Sequence, residues 1–278
     1  MTKSVSVYLL GADDPEMREM ERILKLHQQQ VEYAMKDGVR CHPGNAYKAD
    51  GYFPSCFMMP IEYIDHIVMI ECDASTPEGT EVMHIDHHRQ GDPGYGLPSE
   101  QFWLASSLGQ LCEYLGINPD HSQVILAAMD HCPASAIRGE CPGVTAQEVV
   151  DRKIDEIAKA TGVSHDEVRQ RIAELTERLE VASSVEIGGQ ELRDMRPWDT
   201  GSGYSLDYLC SQVATLAGGY GVLLKTHDRG DSREKWTIAG HCSPQCVAAF
   251  MTEWAPVQGL MGIYGVPNRG YAGGYRPQ

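Results

Sequence analysis

No stretch of the chain approaches the ~20 apolar residues that a membrane-spanning helix needs. The first apolar run, from Ser4 to Leu10, is preceded by a single cation and no small-residue cleavage site. These absences predict a cytoplasmic protein with no membrane partner. Cations are also scarce, because 23 Lys plus Arg stand against 39 Asp plus Glu and leave a formal net charge of −16. A duplex-DNA binder neutralises phosphates with a basic face, so long duplex nucleic acid is excluded as the main partner, and an anionic membrane surface is disfavoured for the same reason. Paired cysteine spacings are missing as well. The nine cysteines (Cys41, Cys56, Cys72, Cys112, Cys132, Cys141, Cys210, Cys242 and Cys246) are odd in number and scattered, which argues against a secreted disulfide framework and for small buried thiols. Cys242 and Cys246 follow His241 with Cys-x₃-Cys spacing but no second pair, so a structural zinc protein is the weaker alternative, and the zinc-deaminase signature is absent. There is no internal repeat.

What remains is an ordinary folded composition, 42% hydrophobic and 22% charged over 278 residues, long enough for two domains. Ser4 to Leu10 reads as a buried strand, followed by Asp14-Pro15 as an N-cap and helix start, with Met17, Met20, Ile23 and Leu24 on one helical face. Gln30 to Met35 is a second strand. The Gly-, Pro- and Asn-rich stretch from Asp37 to Pro60 reads as a long loop with little regular structure. Strands at Ile64 to Cys72 and Glu81 to Asp86, then helices from about Glu100 to Tyr114 and from His121 to Met129, complete a β/α alternation. That alternation predicts an α/β fold with a mainly parallel sheet and flanking helices. Ligands of such sheets bind beyond the C-terminal strand ends, so acids and imidazoles there are site candidates.

After Gly143 two capping-box sequences, Thr145-Ala-Gln-Glu148 and Ser164-His-Asp-Glu167, open a charged helical pair suited to packing or to contact with a second copy in a homodimer. The division expected is a metal-binding domain over 1–143, a helical linker over 144–183 and a smaller α/β substrate-binding domain over 184–278. The second domain begins with a hairpin at Val185 to Leu192 and closes with the glycine-rich Asn268 to Arg276. Arg269, Tyr271, Tyr275 and Arg276 in that segment suit a lid that stacks a base and holds an anion.

His84-Ile-Asp86-His87-His88 ends the Glu81 strand, and composition would produce an Asp-His-His triplet by chance only about 0.03 times in this chain. Asp73 ends the preceding strand, Asp13 and Asp14 follow the first, and Asp130-His131 ends a helix. Carboxylates mixed with imidazoles suit Mn²⁺- or Mg²⁺-type ions, and a metal pair stabilises the attacking and leaving oxygens of an in-line displacement at phosphorus.

In this order and approximate spacing the chain resembles the DHH phosphoesterase superfamily, which is named for the triplet seen at Asp86-His87-His88. The resemblance implies two divalent ions (Mn²⁺, or Mg²⁺ or Co²⁺), with Asp73 bridging them, His87 and Asp130 at one and Asp13 or Asp14 at the other. His88 would contact the phosphoryl group and Asp86 would orient its neighbours or join the metal shell. Ala239-Gly240-His241 is similar, in reduced form, to the family's phosphate-holding glycine-rich His motif. His131, Arg138, His241, Arg269 and Arg276 are therefore expected on the substrate. The expected activity is hydrolysis of a small phosphoester or phosphoanhydride, such as a nucleotide, dinucleotide or short single-stranded oligonucleotide, by metal-activated water in an interdomain cleft. The family's usual His ahead of its first acidic pair is absent from Leu10-Gly-Ala-Asp13-Asp14-Pro-Glu16. His42 is a candidate substitute, and a metal-depleted binding protein for a phosphorylated ligand is the alternative reading.

Overall fold

The computed structural model describes residues 5–53, 64–76, 78–198, 205–227, 233–267 and 270–277. The fold is α/β, as expected, and the chain divides into two compact units, 1–133 with 140–144 and 134–139 with 145–278.

The first unit is built on β1 (Val5–Leu10), α1 (Pro15–Leu26), β2 (Gln30–Lys36), β3 (Val39–Arg40), β4 (Gly51–Phe53), β5 (Ile64–Ile70), β6 (Glu81–Ile85), α2 (Phe102–Ala105), α3 (Ser107–Leu115) and α4 (His121–His131). The sheet runs β3-β2-β1-β5-β6, with β4 also paired to β2. β2, β1, β5 and β6 are mutually parallel, whereas β3 and β4 run antiparallel to β2. Hence the stretch from Asp37, expected to be loop, contains two short edge strands and a 3₁₀ turn at Ala46–Lys48; 54–60 lies outside the described residues. The single helix expected from Glu100 is broken at Ser106, which leaves helical geometry and N-caps α3 by accepting from the Gly109 amide.

Apolar residues fill both faces of the central strands. Val7, Leu9, Ile67 and Met69 pack on one side, while Tyr8, Leu10, Val68 and Ile70 are equally buried on the other. Such continuous burial is what a parallel strand covered by helices requires. The chain leaves β1 toward β2 on one side and later returns to β5 on the other. The crevice beyond the C-terminal ends of β1 and β5 is thus a topological switch point, the usual ligand position in open α/β sheets.

The second unit contains α5 (Pro133–Ile137, which begins at the last residue of the first unit), α6 (Ala146–Thr161), α7 (His165–Val181), β7 (Ser184–Ile187), β8 (Gln190–Asp194), α8 (Leu206–Ala217), β9 (Gly221–His227), β10 (Glu234–Gly240), α9 (Pro244–Ala249), α10 (Ala255–Val257), β11 (Met261–Val266) and β12 (Tyr271–Tyr275). Its sheet runs β11-β12-β10-β9-β8-β7 and is antiparallel except for the β8–β9 pair. The helical pair is not a free connector. α6 and α7 pack with α8, burying Val149, Ile154, Val168, Leu175 and Leu179 within the second unit.

The glycine-rich C-terminal stretch also departs from expectation. Tyr271 to Tyr275 is strand β12, inserted between β10 and β11, rather than a lid. Its glycines allow close packing, since a Cβ on Gly273 would lie 2.5 Å from the Tyr264 hydroxyl.

Gly11 marks the tightest approach at the switch point. Its amide donates to the Ile70 carbonyl at 3.0 Å, and a Cβ there would lie 2.3 Å from the Glu71 carbonyl oxygen. Gly11→Ala must therefore push β1 and β5 apart at the crevice. The expected result is a loss of about 1–3 kcal/mol in chemical denaturation, typical of overpacking; a variant as stable as the parent would show that the strands are not held so closely.

Candidate metal centre

The switch-point crevice is lined by acids and imidazoles from four places in the first unit. Glu16, Glu71, His87 and Asp130 each offer a ligand atom within 4.8 Å of the others, and Glu71, His87 and His88 form a second, overlapping group. Among the described residues neither group includes a cysteine.

Glu16 arrives through the start of α1. Asp14 N-caps that helix by accepting from the Met17 amide at 2.8 Å, and Pro15 fixes the first turn. Two residues past the cap, Glu16 is turned inward and buried. Its Oε1 accepts from the Leu108 amide, in the first turn of α3, at 3.0 Å, and the positive end of α3 favours the carboxylate. Its Oε2 is buried with no hydrogen-bond partner.

Glu71 follows β5 with a left-handed backbone (φ 50°), a conformation that costs a non-glycine residue energy and is kept where surrounding structure holds it. Its side chain is buried and Oε1 has no hydrogen-bond partner. Burial first, then the nearby Asp130 charge, push its pKa up to about 8. Glu16 is raised well above the ordinary carboxylate range by burial and by the Asp130 and Glu71 charges. Asp130, on the last turn of α4, goes the other way. Burial opposes ionisation, but His87 beside it outweighs that penalty and lowers its pKa. His87 Nε2 lies 3.2 Å from Asp130 Oδ2 without hydrogen-bond alignment.

Asp86 is the hub that presents the histidines. Its carboxylate accepts from the Tyr47 hydroxyl (2.9 Å), the His87 amide (2.7 Å), the His88 amide (3.0 Å) and His88 Nδ1 (3.0 Å). Burial works against its charge, yet the hydrogen bonds from His88 and the charge of His88 hold its pKa down at about 2. An ionised acceptor on Nδ1 holds a proton there and leaves Nε2 as the nitrogen a metal would take in place of its proton, the arrangement of a carboxylate-oriented metal-binding histidine. Gln110 fixes the same turn from α3, donating to the Asp86 and Ala105 carbonyls and accepting from the Asp86 amide. The His87 and His88 rings stack at 4.3 Å.

Of the residues singled out in the sequence, His87, His88 and Asp130 enter the donor groups, and Asp86 orients them. Asp14 is a helix cap lying close enough to feel the Asp130 and His88 charges. Asp13 and Asp73 do not enter. Asp13 is half exposed and 3.6 Å from Arg18, and Asp73 is half exposed and 3.6 Å from Arg89. The acids that fill the crevice are Glu16 and Glu71 instead, three residues after Asp13 and two before Asp73. His42, the candidate substitute, is exposed and accepts from the Gly44 amide.

His131 adjoins the centre, its ring edge-on to His87 at 5.2 Å, but its Nε2 bonds the Leu97 carbonyl. In the second unit, His241 Nε2 contacts the Leu216 carbonyl and Nδ1 accepts from Arg138 at 2.9 Å, so both ring nitrogens are engaged within that unit. Arg276 donates to the Gln258 carbonyl and lies over the Trp236 ring. Arg269 lies outside the described residues. Sequence reasoning missed Tyr47, Gln110, Glu16 and Glu71. Only Glu71 left a signal, as an acid inside an apolar run.

Compared with models of known protein families and with curated proteins, the chain matches none. No helix among the described residues is long and apolar enough to cross a membrane.

The raised Glu71 pKa has a direct consequence for the metal-free chain. A carboxyl that is protonated in the fold up to about pH 8 but ionises near 4.5 when unfolded contributes stability that is full below about 4.5 and is lost as pH rises through about 8. Thermal melts in chelator are expected to fall across that window, and Glu71→Gln to flatten the fall. Identical pH profiles for the two proteins would contradict the burial of this carboxyl.

Proposed function

We propose that the chain is a divalent-metal-dependent phosphoesterase of the DHH type, hydrolysing a small phosphoester or phosphoanhydride such as a nucleotide, dinucleotide or short oligonucleotide. The observation that carries the metal part is the donor set of buried Glu16, Glu71 and His87 with half-buried Asp130, in which Glu16 Oε2 and Glu71 Oε1 are buried without hydrogen-bond partners. Buried polar atoms are rarely left so, and a cation in their midst satisfies them together. These residues would hold the principal ion, and His88 with Glu71 and His87 would supply a second position. Carboxylate and imidazole donors without thiolate favour Mn²⁺, Mg²⁺ or Co²⁺ over a structural zinc. Bound there, such an ion supplies Lewis-acid stabilisation of phosphoryl charge and a lowered pKa for water.

The chain's own groups set the rest. Asp86 keeps the His88 proton on Nδ1 and aims the ring. Tyr47, whose pKa is raised by burial and by the Asp86 charge, remains protonated and donates to Asp86 throughout. The phosphorus chemistry rests on the resemblance carried by the Asp86-His87-His88 triplet. A second reading, a binding protein for phosphorylated ligands, is favoured by the position of Asp13 and Asp73 outside both donor groups.

Mn²⁺ titration calorimetry, paired with phosphate release from a panel of nucleotides, dinucleotides, short oligonucleotides, pyrophosphate and polyphosphate, separates these readings. Glu71→Gln is expected to weaken Mn²⁺ binding by tenfold or more and abolish turnover, whereas Asp73→Asn keeps Mn²⁺ binding. No Mn²⁺, Mg²⁺ or Co²⁺ binding by the wild type would overturn the metal centre. Metal and ligand binding without turnover of any substrate would leave the binding protein.

A further inference from the structure

A phosphoryl substrate needs a cation able to grip its oxygens, and two of the arginines first expected to do so in the second unit are engaged there, Arg138 by His241 and Arg276 by Gln258 and Trp236. A different arginine stands beside the metal centre. Arg89 directly follows His88 and its side chain is 40% exposed. Its guanidinium lies 4.1 Å above the Tyr47 ring, and the Tyr47 and His88 rings are 6.3 Å apart. Tyr47 is in turn pinned to Asp86, the same carboxylate that orients His88. The guanidinium therefore rests on the same tyrosine that is tied to the carboxylate orienting His88.

The side-chain N–H groups of Arg89 make no hydrogen bond among the described residues. Among the described residues their one salt-bridge neighbour is Asp73, at 3.6 Å and with a side chain 52% exposed. An arginine held by its face against an aromatic ring keeps its N–H edge for a planar or tetrahedral anion, which it binds through paired, charge-assisted hydrogen bonds. A half-exposed carboxylate at that separation is a weak competitor.

We propose that Arg89 is the anion-binding residue of this centre, that it grips a non-bridging phosphoryl oxygen pair, and that Asp73 is a displaceable carboxylate latch holding the guanidinium until phosphate replaces it. Tyr47 is the positioning residue. The proposal rests on the metal-centre reading only for the identity of the anion. It gives Asp73 a role that its place outside the donor groups otherwise leaves without explanation.

The test is calorimetric titration of inorganic phosphate into the full chain, with and without bound Mn²⁺, accompanied by Mn²⁺ affinity and melting temperature for each variant. Arg89→Met is expected to weaken phosphate binding tenfold or more while leaving Mn²⁺ affinity unchanged. Arg89→Lys, which keeps the charge but loses the fork, should fall between. Asp73→Asn should bind phosphate two- to fivefold more tightly, because the competing carboxylate is gone. Phosphate binding by Arg89→Met equal to wild type, or no phosphate binding by the wild type in either condition, overturns the role of Arg89. Loss of Mn²⁺ affinity in Asp73→Asn overturns the latch and makes Asp73 a metal ligand. If the wild type binds no metal but its phosphate binding still depends on Arg89, the metal-centre reading fails and this one stands. Should Arg89→Met melt early, Arg89→Lys and Asp73→Asn still decide the matter, since a structural role would not move phosphate affinity in opposite directions.

Discussion

Everything in the first unit is arranged around an electrostatic problem: three carboxylates, Glu16, Glu71 and Asp130, meet in a buried crevice with ligand atoms within 4.8 Å of one another. Like charges so placed cannot all ionise in a medium that screens poorly. The chain answers in two ways. His87 beside Asp130 and the α3 amide on Glu16 stabilise charge, whereas Glu71 and Glu16 are pushed toward the protonated form. Protons and a metal cation would thus compete for the same oxygens, and any metal uptake at neutral pH would release protons.

The fold supports that crevice from below and from the side. The connections leaving β1 and β5 part at the switch point while the two strands stay paired, and the absence of a side chain at Gly11 lets the Glu71 backbone close over it. Asp86 does the lateral work through one carboxylate that caps two amides, orients one imidazole and ties down Tyr47. Because its acceptor sites are spent on these donors, Asp86 is a poor metal ligand and a good scaffold. The geometry of the triplet in this chain is therefore a division of labour, with the acid positioning and the imidazoles facing the crevice.

The alternation of strands and helices was legible in the sequence because buried strands carry short apolar runs, as at Val7–Leu10, Ile67–Ile70 and Val222–Leu224. The Asp86 triplet and Asp130 were legible as chemistry at strand and helix ends. The other acids were not, for a local reason. Asp13 and Asp73 look like strand-end ligands, but which of several neighbouring acids turns inward depends on a helix cap at Asp14 and a left-handed residue at Glu71, and neither leaves a periodic trace. The glycine-rich end misled similarly. Its glycines serve the packing of β12 against Tyr264 and Leu260 rather than mobility, and composition alone does not distinguish the two.

The net charge of −16 fits this arrangement once sign is considered locally. An acidic protein repels a polyanion at long range, so a long duplex gains little from approaching it. Within a Debye length of about 8 Å at physiological salt, however, the relevant charges are those of the crevice alone. There a cation held by the donor groups would offset the ionised carboxylates, and the guanidinium of Arg89, 4.1 Å over the Tyr47 ring, adds a positive charge directly after His88. On the proposed reading such a field would suit one or two phosphoryl groups and fall off before it could organise a strand. Global acidity and the proposed local anion site are therefore compatible, since the first acts at long range and the second only within the crevice.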